Sequence, residues 1–209
     1  MNIEIWYDLV CPWCYLGKRR LEDVPLEVTT TFRAYQLDPA PVPAGLPVRQ
    51  AMLAKIGDQR EVEQMFRHVT AIAAQEGLAL DYDRAIAANT FDAHRLVAWA
   101  AGQELQLAMI EALQRAHFAD GVDIGSHREL ARLADEIGLD GQAAFAYLAT
   151  SAGTDAVNAD LAEARELGIT SVPTFVVDRK YVIQGAQEPA TLRSALDEIA
   201  RREAVDAAR

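Results

Sequence analysis

Cysteine is nearly missing from this chain of 209 residues, which has two. That excludes a fold held together by disulfide staples, which needs several bridges. Glycine (12) and proline (8) show no excess, so collagen-like and low-complexity classes are excluded as well. Basic charge is short. The 20 Lys and Arg stand against 31 Asp and Glu, a net charge of −11 with histidine neutral. Such a surface repels phosphate backbones, and no nucleic-acid partner is expected. No uninterrupted apolar run approaches the ~20 residues that span a bilayer, so no membrane partner is expected either. The opening Met1-Asn2-Ile3-Glu4-Ile5-Trp6-Tyr7-Asp8 has no basic leader, no signal-length apolar core and no cleavage site, and the expectation is a cytoplasmic protein. What is present is 51% hydrophobic and 24% charged, the balance of one folded domain or of one domain carrying an insertion.

Ile3, Ile5 and Tyr7 alternate with Asn2, Glu4 and Trp6, which predicts a short strand ending near Asp8. Cys11-Pro12-Trp13-Cys14 follows. Leu16, Arg20, Leu21 and Val24 then recur at helical spacing, with Pro12 in the first turn, where its missing N–H costs nothing. Pro25 is expected to stop this helix. Val28 to Tyr35 is β-branched and aromatic, a second strand. Pro39, Pro41, Pro43 and Pro47 mark a connection between lobes. From Val48 to Leu167 the chain turns alanine-rich and helical. Ser126 and Glu129 form an S-x-x-E capping box, Gly138 stands where that helix should stop, and Asp140 is placed to cap the next. A further helix runs from about Thr154 to Leu167, ending at Gly168. Thr174–Val177 and Tyr181–Ile183 then read as strands around a hairpin loop, Asp178-Arg179-Lys180. Pro189 opens a last helix with Leu192, Leu196 and Ile199 on one face. The expected architecture is α/β: βαβ and αββα ends building one sheet (residues 1–46 and 151–209), with an all-helical domain (47–150) inserted between them.

Both cysteines lie in the Cys11-Pro12-Trp13-Cys14 motif at a helix start. Unpaired N–H groups and the positive end of the helix dipole favour a thiolate there, and can bring a cysteine from about 8.5 into the ~3.5–7.5 range. The two-residue spacing lets the sulfurs meet across one turn. Cys11 is expected to be the exposed attacking sulfur and Cys14 the buried resolving one. A CxxC is also half of a zinc site, but no further cysteine exists, and His68, His94, His117 and His127 show no paired ligand spacing. Two packed core cysteines are the remaining bland alternative. Ser171-Val172-Pro173-Thr174-Phe175 places a proline just before a strand. A cis Val172–Pro173 bond would turn the backbone there and offer Val172 to an extended substrate, whereas an ordinary proline at a strand entry would do nothing of the kind.

Together, these features resemble the DsbA family of thioredoxin-like proteins, and more narrowly its FrnE-like subfamily. The matching residues are Tyr7-Asp8, Cys11 to Gly17, Asn89-Thr90, Ala93-His94-Arg95-Leu96, Asp123-Ile124, Ser171 to Phe175 and Gly185-Ala186-Gln187, nearly the length of the chain. The resemblance implies a thioredoxin fold with a helical insertion and thiol–disulfide oxidoreductase or isomerase activity. It further implies that Cys11 and Cys14 are catalytic, that Pro12 and Trp13 are the active-site dipeptide, and that a cis Pro173, flanked by Val172 and Thr174, binds substrate beside Cys11. Clients would be thiol or disulfide proteins or small thiols such as glutathione, with no cofactor and no metal. Where the periplasmic oxidases of the family end the dipeptide in histidine, Trp13 supplies no positive charge. Asp8, three residues before Cys11, disfavours a thiolate, so a less oxidising couple is expected. Asp8, Asn89 and His94 are candidate cleft residues, although on a helix Asn89 or Thr90 would serve equally as a cap while Ala93, Leu96 and Val97 pack inward. Trp99, Met52, Met65 and Met109 read as core filler. Two rival functions share the plan: glutathione-dependent kappa-class transferases and hydroxychromene-carboxylate isomerases, which carry serine at the first cysteine, and a non-catalytic accessory protein of polyketide biosynthesis.

Overall fold

In this computed structural model the described residues are 1–24 and 28–207; the helix stop expected at Pro25 lies outside them. Strand β1 (Asn2–Tyr7) is the centre of the molecule. It pairs in parallel with β2 (Thr29–Ala34) and antiparallel with β3 (Thr174–Val177), which pairs antiparallel with β4 (Tyr181–Gln184). The order is β2-β1-β3-β4, so the two ends of the chain do build one sheet. Asp178 and Arg179 both take positive φ, the backbone twist that joins two strands in a tight hairpin.

The alternation in β1 predicts one wet face, but both faces are buried. Trp6 is fully covered and its indole N–H donates to the Asp160 carbonyl at 3.3 Å. Glu4 lies buried between Arg33 (2.6 Å) and Arg179 (3.0 Å), which neutralise it. The covering element is α8 (Thr154–Glu166), whose Asp160 also accepts from Arg33 and from the Ala34 N–H. A buried charge survives only when it is paired and hydrogen-bonded, and here the pairs come from both ends of the chain.

Helix α1 (Pro12–Glu22) follows β1, with Cys11 as N-cap and proline in its first turn. Between β2 and β3 come α2 (Val48–Ile56), α3 (Gln59–Gln75), α4 (Phe91–Ala101), α5 (Gln106–Arg115), a π-helical turn (Ala116–Asp120), α6 (His127–Glu136), α7 (Gly141–Leu148) and α8; α9 (Pro189–Ala207) closes the chain. One apolar core joins the sheet, α4 to α7 and α9, where Leu192, Leu196 and Ile199 are buried as expected. A second is formed by Tyr15 and Leu16 of α1 with Val62, Phe66, Val69 and Ala73 of α3, plus Leu80, Tyr82 and Phe118. Tyr15 and Leu16 therefore anchor the helical region to the helix that carries the cysteines.

Two local expectations are corrected. Ser126 is the N-cap of α6, but its side chain caps nothing. Glu129 is captured by Arg128 and Arg132 on either side of it, so the reciprocal box does not form. Asp140 does cap α7, accepting from Ala143 N at 2.9 Å, and Gly138 takes the left-handed φ of 89° that ends α6. Met65 is exposed because the buried stripe of α3 runs Val62, Phe66, Val69, Ala73 and passes it by; Met109 is buried, and Met52 and Trp99 pack at the edges of the cores.

Candidate active site

The end of β1 and the start of α1 are tied by the backbone of Asp8. Its carbonyl accepts from Cys11 N at 3.2 Å, and its N–H points at Cys14 Sγ at 3.5 Å. Cys11 has extended dihedrals as N-cap, and its carbonyl accepts from the N–H of Cys14 (3.0 Å) and of Tyr15 (3.3 Å), the first bonds of the helix. Both cysteines carry free thiols. The Cys14 thiol is held well above its usual range, first by burial, then by its contact with Cys11 and the Asp8 carboxylate; the Asp8 N–H works the other way. The thiol form of Cys14 is therefore favoured over the thiolate.

Cys11 was expected to be exposed, and it is not. It is 3% accessible against 2% for Cys14, and the exposed member of the motif is Trp13 at 37%. The cover is the segment before β3: Cys11 Sγ lies 3.7 Å from the Val172 carbonyl. The Tyr82 phenol, in the helical region, is pushed up first by burial and then by the charge of a Cys11 thiolate. Trp13 tilts against His68 of α3 at 6.2 Å between ring centroids.

The Val172–Pro173 peptide is cis. Pro173 is fixed on three sides: its carbonyl accepts from Gly185 N (2.8 Å), the Thr174 hydroxyl donates to Ser171 O (2.7 Å), and its ring rests on Gly17 of α1. A methyl group at Gly17 would sit 2.8 Å from Pro173 Cγ and 3.4 Å from Phe175 Cζ. Glycine at this point of α1 is thus what lets the proline segment reach the cysteines. The conformational freedom of Gly17 plays no part.

Asp8 and His94 come together behind the cysteines. Oδ2 of Asp8 accepts from Leu37 N at 2.7 Å; Oδ1 is buried without a hydrogen bond, 3.6 Å from His94 Nε2. His94 is itself buried, with Nε2 3.0 Å from the Tyr35 carbonyl and its ring edge-on to Tyr7. Asn89 serves the proline-rich connection. It donates to the carbonyls of Pro39 and Ala40, and its oxygen accepts from Gln36 and from Phe91 N, so Asn89 rather than the Thr90 side chain caps α4. Ala93, Leu96 and Val97 pack inward. Sequence reasoning passed over Tyr7 as a polar group and Gln114, and weighed His117 only as a zinc ligand. All three are buried with polar atoms that have no partner, and nothing in their local sequence signals it. Burial pushes His117 down to about 4, leaving it neutral. Among the described residues no group of three or more His, Cys, Asp or Glu is placed to hold a metal ion, and no helix is long and apolar enough to cross a membrane.

The DSBA-like thioredoxin domain family matches residues 2–197, and the chain belongs to that family. A probable DsbA oxidoreductase from Streptomyces coelicolor is 37% identical, with a TM-score of 0.88, over 95% of this chain and 89% of that one. The cytosolic disulfide reductase DsbM from Pseudomonas aeruginosa, solved with glutathione, is 21% identical with a TM-score of 0.67 over 96% and 100%, a likeness of fold. The 2-hydroxychromene-2-carboxylate isomerase of Sphingobium xenophagum is 23% identical over 85% of this chain and 89% of that protein.

Proposed function

We propose that this member of the DsbA-like thioredoxin family exchanges disulfides with protein or small-molecule thiols through Cys11 and Cys14. One observation carries the reading: the chain's two thiols share the N-terminal turn of α1, with the sulfur of Cys11 beneath the Val172 carbonyl and its cis-proline. In the reducing direction the Cys11 thiolate attacks a client disulfide, and one client sulfur leaves with the bonding electron pair. Cys14 then attacks Cys11 of the mixed disulfide. The Cys11–Cys14 bond forms, the Cys11–client bond breaks, and the second client sulfur departs as thiolate. The reverse sequence oxidises a dithiol client, and a long-lived mixed disulfide permits isomerisation. Direction follows from the potential of the pair against the surrounding pool.

The helix N-terminus supplies the favourable field for the Cys11 thiolate, and Trp13 adds no charge to it. The client backbone would lie along Val172, Pro173 and Thr174, with residues 47–150 as the helical insertion above. Glutathione is the small thiol favoured as redox partner, a choice supported by the fold shared with the glutathione-bound reductase. That protein's cytosolic setting also supports a cytoplasmic one here. The isomerase-like rival is disfavoured by Cys11 itself, because that plan uses a hydroxyl at this position.

The test is a pair of substitutions assayed with glutathione disulfide and a disulfide-bonded peptide. Cys11→Ser should abolish exchange. Cys14→Ser should retain the first attack and accumulate a Cys11-linked adduct visible by intact mass. Exchange that survives in Cys11→Ser overturns the reading.

A further inference from the structure

One turn of α1 beyond Gly17 stands Arg20, a charged residue that the exchange chemistry does not use. It is only 4% exposed, and each edge of its guanidinium has a different partner. Nε donates to Glu76 Oε1 at 2.8 Å and Nη2 to the same oxygen at 2.7 Å; Glu76 is the residue that ends α3. Nη1 donates to the Ala186 carbonyl at 2.7 Å, and Nη2 also meets Glu188 at 2.8 Å. Segments far apart in the sequence therefore converge on one side chain. The Ala186 carbonyl belongs to a tight turn. Gly185 holds a left-handed φ of 77°, Gln187 N donates to the Gly185 carbonyl at 2.9 Å, and the Gln187 side-chain amide donates to the Gln184 carbonyl at 2.7 Å. The N–H of Gly185 is also the group that donates to the Pro173 carbonyl at 2.8 Å. The carbonyl that Arg20 grips is thus one residue away from the N–H that holds the cis-proline.

We infer that Arg20 is a positioning residue for clients with a peptide backbone, latching the Val172-Pro173-Thr174 shelf to the helix that carries Cys11; the assignment rests on the thiol-exchange reading above. Stability alone is a poor account of a cation in this place. Desolvating an arginine and a glutamate roughly cancels the attraction between them, so a buried pair adds little to the stability of a fold. What the guanidinium does supply is direction. Its planar fork aims Nε and Nη2 at Glu76 and Nη1 at Ala186, and a lysine ammonium does not reproduce that geometry. The link to the reacting sulfur runs through bonds already described: Ala186 to Gly185, Gly185 N to Pro173, and the Val172 carbonyl 3.7 Å from Cys11 Sγ. Gly17 sets how close Pro173 comes to α1, and Arg20 sets where along α1 its turn is held. Because the same side chain bonds Glu76, the end of α3 and the client shelf are held to one spacing. A client that lies along the shelf depends on that spacing; a disulfide with no peptide bond does not.

The experiment compares two probes on the reduced protein, a disulfide-bonded peptide and hydroxyethyl disulfide, which is neutral and has no peptide bond. The rate of exchange with each is read by acid quench and intact mass. Arg20→Lys is the deciding variant, because it keeps a cation for the buried Glu76 and so keeps the fold, while nothing remains at the position of Nη1. Exchange with the peptide should slow about tenfold, a fraction of what an ångström of misplacement can cost. Exchange with hydroxyethyl disulfide should run at the wild-type rate. Arg20→Met leaves Glu76 without its cation, and should show the same split together with a lower melting temperature. A part in stability alone would slow both probes alike, and a part through charge alone would leave Arg20→Lys unchanged with both. Either result overturns the assignment to Arg20. A wild-type protein that exchanges with neither probe overturns the exchange reading, and this inference with it.

Discussion

Replacing Gly17 by alanine sets two effects of opposite sign against each other. In a helix interior alanine is favoured over glycine by about 1 kcal/mol, so propensity alone stabilises the variant. The added methyl, however, meets Pro173 Cγ at 2.8 Å and Phe175 Cζ at 3.4 Å. Carbon atoms rest at about 3.5–4.0 Å, so the proline segment must withdraw by roughly 0.7 Å or α1 must tilt. Pro173 has little freedom to yield, being held through Gly185 and Thr174. Overpacking of this kind costs about 1–3 kcal/mol. The net expectation is a loss near 1 kcal/mol, a melting temperature lower by about 2–4 °C in a chain of this size. Exchange should suffer more than stability. The same shift moves the Val172 carbonyl relative to Cys11, and an ångström of misplacement can cost about 100-fold in rate. Adduct formation with glutathione disulfide in Gly17→Ala should slow at least about tenfold. A variant that melts higher than the wild type and exchanges at the normal rate would refute the close-packing argument.

Arg95→Leu is expected to destabilise the fold by about 2–4 kcal/mol, read from denaturant midpoints, because several backbone carbonyls lose the charged donor they share. The guanidinium bonds Asp92 (2.7 Å) and the carbonyls of Thr150 (2.6 Å) and Ala152 (2.8 Å), and it also reaches those of Tyr147 and Leu148 at the end of α7. Acid sensitivity follows from the same network. Burial opposes ionisation of Asp92, but the hydrogen bonds from His127 and Arg95 outweigh it and hold the carboxyl below its ordinary value of 3.8. Its stabilisation is therefore complete above that ordinary value and is lost as pH falls through the lowered one. The stability gap between wild type and Asp92→Asn should be open at pH 7 and should narrow below about pH 3.8; a gap of constant width would contradict the network.

Much of the site was legible because each signal has a local cause. Pro12 is tolerated only at a helix start, which located the cysteines at the mouth of α1, and the β-branched runs located β2 to β4. Asp140 announced its cap for the same reason. What was not legible depends on who covers whom. The alternation of Glu4 and Trp6 reads as a wet face until α8 lays Asp160 across it. Cys11 reads as exposed until a segment near the other end of the chain covers it. The Ser126–Glu129 pattern fails because Arg128 and Arg132 offer the carboxylate a stronger partner than the backbone N–H. Gln114 and His117 carry no local mark of burial; only the packing of α5 and its π-helical turn among the neighbouring helices α4 and α6 places them in the interior.

The register of the sheet has a consequence for how the chain is made. Ile3 pairs with Val177 and Ile5 with Phe175, so β1 completes its bonding only with a strand synthesised long after it. Until then β1 exposes an edge rich in large apolar side chains, the kind of edge that recruits neighbours. Closing so long a loop is entropically slow. Synthesis therefore favours helices that form locally while the N-terminal strand waits. Truncation just before Thr174 should leave a helical, aggregation-prone product, and exchange chemistry should appear only when the final hairpin has emerged.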